Sequence, residues 1–419
     1  MIAGIERERV LLQAEYEANR RRTRRIFDML EPNAYYDRPI PLRHPFVFYD
    51  GHIPAFSFLT LVKRALGGAA IDGTLERLFE RGIDPTTLSD AQRKAPASWP
   101  DRQTVEAFAR ECDARVREAL GNARLDDPSN PRLVRAQSAY NIIEHEQMHH
   151  ETLLYIVHHL EAARKRALPS EHVVSDAPAY RRVCVPEGTA TLGAGREEIP
   201  FGWDNEFERT DVRVGAFEIE ADDVTNGAYL DFVNAGADPP PFWRRNDAEW
   251  HLATLFELIA LPSSWPVYAT QRQAAAYAAW KGMRLPTEAE YHRAAFGTPQ
   301  GHERSYPWGE APPDSARGNF GFVRFDPTTV GSYPQGASAW GVNDLVGNGW
   351  EWTATPFAPF SGFEPMASYP QYSSDFFDGE HFVMKGASPV TNRRMIRRSF
   401  RNWFRADYPY VYATFRCVT

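Results

Sequence analysis

No apolar run in the 419 residues approaches the roughly 20 that a membrane helix needs, so no membrane partner is expected. Cysteine is scarce. Cys112, Cys184 and Cys417 are odd in number and far apart, which excludes a disulfide framework and a cysteine-based zinc site. Positive charge is not in excess either. Lys and Arg number 47 against 55 Asp and Glu, a net charge of −8, which argues against a general nucleic-acid binder. Met1–Arg9 turns charged at once, so no signal peptide is expected and a cytoplasmic setting is the default. Hydrophobic residues make up 43% and aromatics 13%, too apolar for a disordered chain. A soluble enzyme or binding protein fits this balance.

The chain changes character near residue 170. Before it, helical periodicity dominates. Val10, Leu11, Tyr16, Ile26 and Leu30 mark a first helix over 5–30, with Arg20 to Arg25 on a solvated face. A second helix is expected to open around Gly51-His52-Ile53-Pro54, with Pro54 in its first turn. A third covers about 101–120 and a long fourth about 131–168. Four such helices predict a four-helix bundle over 1–168 with room for a cofactor. Residues 169–183, with Pro169, Ser170 and Pro178, read as a linker. Over 184–419 short apolar stretches such as Thr189–Leu192 and Ala216–Ile219 alternate with Gly, Pro, Asn and Asp. Helical periodicity returns only near Gln271–Lys281 and Thr287–Phe296. This half predicts a loop-rich α+β domain with short antiparallel strands, and the whole chain a multidomain α and α+β protein.

The histidines carry the chemistry. In His145-Glu146-Gln147-Met148-His149 the two imidazoles are one helical turn apart and share a face, so both can bind one metal. The spacing also matches the zinc-protease pattern HExxH, in which Glu146 would be the general base. With His150, His158 and His159 nearby, packed or solvated histidines are a third reading. A third ligand decides among them. None after His149 is clean, and His52 upstream is the better candidate. Three imidazoles on one face leave open positions that suit Fe(II) and O2.

The segments Pro41–Phe56 and Glu144–Tyr155 resemble the iron-binding half of the ergothioneine and ovothiol sulfoxide synthases, a DinB-like bundle. Val224–Tyr229, Arg284–Tyr291, Gly347–Thr353 and Phe201–Glu206 resemble the formylglycine-generating-enzyme fold, a C-type-lectin-like domain. The resemblance implies Fe(II) held by His52, His145 and His149, and a reaction joining a chalcogen donor to C2 of the imidazole of hercynine, using O2. Formylglycine generation itself is not expected, because Cys417 lacks a nearby cysteine partner. Arg401-Asn402-Trp403-Phe404 resembles the family's substrate-binding stretch, which implies substrate contacts for Asn402, Trp403 and Phe404. A trimethylammonium group needs an aromatic or carboxylate pocket. Gly362–Ser373 resembles the region where some relatives carry a proton-donating tyrosine, implying Tyr369 or Tyr372 as catalytic.

Two departures bear on the donor. After Gly82-Ile83-Asp84-Pro85, relatives continue with a stretch containing Cys and His, whereas this chain reads Ser89–Pro96. Relatives carry Gly-Gly-Ser-Trp-Ala-Thr where this chain has Gly386-Ala387-Ser388-Pro389-Val390-Thr391. These differences point towards the selenoneine synthase branch and a selenosugar donor. Cysteine or gamma-glutamylcysteine, joined as in ergothioneine synthesis, is the alternative donor. A zinc hydrolase and a lectin-like binding protein remain the readings from other classes.

Overall fold

The computed structural model describes residues 2–80, 98–168 and 172–419, excepting the side chains of residues 2–7. It divides into two compact units. The first comprises Met1–Leu168 with Ala367–Tyr369, the second Pro169–Met366 with Pro370–Thr419. No helix among the described residues is long and apolar enough to cross a membrane.

The first unit is helical. Its elements are α1 (Ile2–Phe27), α2 (Phe46–Ser57), a short α3 (Gly73–Phe79), α4 (Arg102–Asn122) and α5 (Gln137–His158). The helices α1, α2, α4 and α5 pack on one another as the four main members of the bundle. Asp101 starts α4 by accepting from Thr104 N at 2.9 Å, satisfying one of the first-turn amides. Two boundaries differ from the sequence expectation. The helix α2 begins at Phe46, behind Pro45, so Pro54 is inside it and His52 is seven residues in. Beyond Pro54 the helix widens over Phe58–Ala65, where Leu66 N bonds to Leu61 O at 3.1 Å, five residues back. The helix α5 is also shorter than 131–168. Arg135 and Ala136 take φ values of 55° and 54°, which no helix accommodates, so α5 starts after them. At its other end Lys165 Nζ caps the carbonyls of Val157 and His158 at 3.3 and 3.1 Å. A further correction concerns the arginines of α1. Arg20 is buried, with Nε 3.1 Å from Asp113 and Nη1 2.7 Å from Glu146, so it does not lie on a solvated face.

The second unit holds eleven strands and four helices among the described residues. The strands are β1 (Arg182–Val185), β2 (Gly188–Leu192), β3 (Thr210–Val214), β4 (Phe217–Glu220), β5 (Trp243–Asn246), β6 (Glu249–Ala253), β7 (Leu258–Ala260), β8 (Gly349–Pro356), β9 (His381–Ala387), β10 (Asn402–Arg405) and β11 (Ala413–Thr414). The helices are α6 (Asn226–Asn234), α7 (Gln271–Trp280), α8 (Glu288–Phe296) and α9 (Gln371–Ser374). The largest sheet runs β10-β9-β8-β11, antiparallel apart from the β8–β11 pair; β1-β4, β2-β3 and β5-β6-β7 are separate small sheets. Thr270 and Thr287 cap α7 and α8 in reciprocal boxes with Gln273 and Glu290, at the two places where helical periodicity was read. Strand β8 buries Trp350 and Trp352, while Glu351 between them takes Arg416 Nε at 2.6 Å. Gly347 precedes β8 with φ 109°, and a side chain there would meet Asn319 N at 2.8 Å. The stretch read as a linker is tied down: Trp265 Nε1 donates to the Val173 carbonyl at 2.8 Å, and Ser175 N donates to Thr329 at 2.9 Å.

Candidate metal centre

Three histidines meet inside the first unit. His145 and His149 come from successive turns of α5 and His52 from the middle of α2. One ring nitrogen from each lies within 4.8 Å of the others. The ring of His52 is 5.2 Å from that of His145 and 5.1 Å from that of His149. The Nε2 atoms of His145 and His149 face each other at 3.1 Å. Two nitrogens held about 2.1 Å from one ion at a right angle stand about 3 Å apart, so this pair fits a shared cation.

Protonation favours ligation. Burial pushes His52 down to about 4, against a hydrogen bond to the Phe79 carbonyl that pulls it up. Burial, then the repulsion between neighbouring rings, holds His145 and His149 well below the usual range. All three are neutral at pH 7, as a metal ligand must be. The Phe79 carbonyl is 2.7 Å from His52 Nδ1 and can only accept, so Nδ1 carries the proton. The lone pair is therefore on Nε2, which is buried and has no hydrogen-bond partner among the described residues. A fixed tautomer with an orphaned, inward lone pair is the arrangement a metal satisfies.

Aromatic rings hold the imidazoles flat. Phe56 stacks on His145 at 3.5 Å and 11°, and Phe48 on His52 at 4.9 Å and 15°. Phe48, His52 and Phe56 are spaced by four on α2, a stripe present in the sequence but given no role there. The HExxH glutamate behaves differently from a hydrolytic base. Glu146 Oε1 accepts from Arg20 at 2.7 Å and from Thr23 at 2.5 Å, both on α1. Burial raises its carboxyl, with Arg20 pulling the other way. A carboxylate paired with Arg20 is a weakened hydrolytic base, and the third histidine comes from upstream.

The remaining candidates separate. Tyr369 belongs to the first unit, its ring 6.2 Å from His145 and 5.2 Å from Phe56. Tyr372 belongs to the second unit, stacked on Trp203 at 3.8 Å and set edge-on to Trp403 at 5.2 Å. Trp403 is half-buried and also stacks on Phe357 at 4.2 Å. Strand alternation turns Asn402 and Phe404 to the opposite face of β10 from Trp403. Phe404 stacks on Tyr408 at 4.9 Å, and Asn402 Oδ1 accepts from Trp403 N at 2.9 Å. Arg401 is buried in a two-pronged pair with Glu288 at 3.0 and 3.1 Å. Sequence reasoning missed Asp204. It binds both ends of the loop containing the tyrosines, accepting from Met366 N at 3.3 Å and from Ser373 Oγ.

Of the departures, Ser89–Pro96 lies outside the described residues. The stretch Gly386–Thr391 is an interior turn. Ser388 N donates to Thr391 Oγ1 at 2.8 Å, and Ala387, Ser388, Val390 and Thr391 are fully buried. That departure therefore alters packing. Cys184 and Cys417 are both free thiols, the first exposed and the second buried.

Comparison with known proteins agrees with the two-unit build. The DinB superfamily model matches residues 15–153, and the sulfatase-modifying factor enzyme 1-like domain matches residues 167–419. A hercynine oxygenase of Mycobacterium tuberculosis is 34% identical across 93% of this chain and 93% of its own. Ergothioneine biosynthesis protein 1 of Schizosaccharomyces pombe is 30% identical across 93% of this chain and 53% of its own. The solved structure of PvdO from Pseudomonas aeruginosa is 21% identical, with TM-score 0.44 over 57% of this chain and 93% of that one. A DinB half and a sulfatase-modifying-factor half in one chain, shared with relatives across 93% of its length, make this protein a member of the ergothioneine-type sulfoxide synthase superfamily.

Proposed function

We propose that the protein binds one Fe(II) through His52, His145 and His149 and, with O2, joins a chalcogen donor to C2 of the imidazole of hercynine, Nα-trimethylhistidine. The observation that carries this reading is the convergence of three neutral imidazoles in a chain whose relatives include hercynine oxygenases. Bound Fe(II) would supply redox and Lewis-acid chemistry towards a soft anionic donor and O2. The protein's own contribution is placement. The stacked rings of Phe48 and Phe56 and the Phe79 carbonyl fix the imidazoles. Tyr369, beside His145, is the proton donor of this reading. Trp403 offers an aromatic face for the trimethylammonium group, which cannot donate a normal hydrogen bond. Asn402 and Phe404, on the other side of β10, are read as the further substrate contacts of this stretch.

Two donors have separate supports. The departure from the family pattern at 89–96 favours a selenosugar, whose selenolate is ionised at neutral pH and soft enough for Fe(II). The second reading, cysteine or gamma-glutamylcysteine, is favoured by relatives named for ergothioneine biosynthesis. Anaerobically reconstituted protein given hercynine, O2 and each donor in parallel, with mass spectrometry of the products, separates the two. A product with a new C–Se or C–S bond is expected from one donor. No consumption of hercynine with either donor contradicts the proposal.

A further inference from the structure

Arg20, Thr23 and Arg24 of α1 are spaced i, i+3, i+4, which sets them along one side of the helix. Each engages a carboxylate beside a proposed iron ligand. Arg20 and Thr23 both donate to Glu146, the residue directly after His145 on α5. Arg24 donates to Asp50, two residues before His52 on α2, and Tyr35 donates to the other Asp50 oxygen at 2.8 Å. Both carboxylates are buried. Asp113 of α4, which accepts from Arg20 at 3.2 Å and from Tyr16 at 2.7 Å, holds Arg20 from behind.

A buried ion pair is a poor way to gain stability, because desolvation consumes most of the attraction. It is an effective way to fix register, because sliding one helix leaves a charge uncompensated. Here the two helices that supply the metal ligands are fastened to a third at points one turn apart, about 6 Å along its axis. We infer that Arg20, Thr23 and Arg24 are positioning residues: this one turn of α1 sets α2 against α5 so that the three imidazoles converge. The inference rests on the reading of the histidines as metal ligands.

Co(II) titration of the full-length apoprotein, followed by its visible d–d absorption, tests it. Glu146→Gln and Arg24→Gln each loosen one fastening while leaving the remaining partners in place. Tyr16→Phe removes a hydrogen bond from the same network without touching either carboxylate beside a ligand. Glu146→Gln and Arg24→Gln are expected to bind Co(II) about 10- to 100-fold more weakly with shifted bands, at unchanged far-UV dichroism. Arg24→Lys should restore part of the affinity, and Tyr16→Phe should match the parent spectrum even if it melts earlier. Arg24 is partly exposed, so its variants keep the test open should Glu146→Gln not fold. Parent-like affinity and bands in both glutamine variants overturn the positioning role. Failure of the parent to bind Co(II), or parent-like binding by His52→Ala, instead removes the metal reading and the inference with it.

Discussion

Two tyrosines three residues apart have different surroundings, and chemistry should separate them. Tyr369 is beside His145, whereas Tyr372 is sandwiched in an aromatic stack with Trp203. A phenolic donor contributes about 100-fold or more to a proton-coupled step. Tyr369→Phe should therefore lower kcat about 100-fold while leaving iron affinity intact, and Tyr372→Phe should turn over close to the parent rate. Steady-state kinetics with iron analysis of both variants checks this; the reverse order of effects contradicts it. That His145 and His149 share a face was legible from spacing, since i, i+4 histidines do so whatever the fold, whereas the approach of His52 rested on the bundle expectation and the family resemblance. Glu146 and Arg20 were not. Their partners are 126 and 93 residues away in sequence, and a run of arginines looks like a solvated face until a buried carboxylate is found for it.

At the scale of elements, the loop over 366–373 depends on Asp204. Burial lifts this carboxyl from 3.8 to about 6. A raised pKa means that the folded state prefers the protonated acid. The stability this gives is complete below about pH 3.8 and is lost as pH rises through 6, by about 3 kcal/mol at most. Asp204→Asn imitates the protonated form. Relative to the parent, it should therefore gain stability between pH 4 and 7, measured by denaturant unfolding at each pH. A constant difference across that range contradicts the assignment. The helices near Gln271–Lys281 and Thr287–Phe296 were readable because apolar periodicity is local. The true starts of α2 and α5 were not. One depends on a helix tolerating Pro54 internally, the other on left-handed Arg135 and Ala136, and neither is written in hydrophobic periodicity.

For the molecule as a whole, both halves were recognisable from short motifs: the histidine segments in the first and the Trp- and Gly-rich turns in the second. The assignment of residues 367–369 to the helical unit was not, because the sequence places them inside the other half. The central claim is that His52, about ninety residues upstream of the HExxH pair, completes one iron site with it. Anaerobic titration of the apoprotein with Fe(II), counting ions bound by the parent and by His52→Ala, His145→Ala and His149→Ala, tests that claim most directly. The account predicts one ion per parent chain and loss of tight binding in all three variants. Undiminished binding by His52→Ala would contradict it.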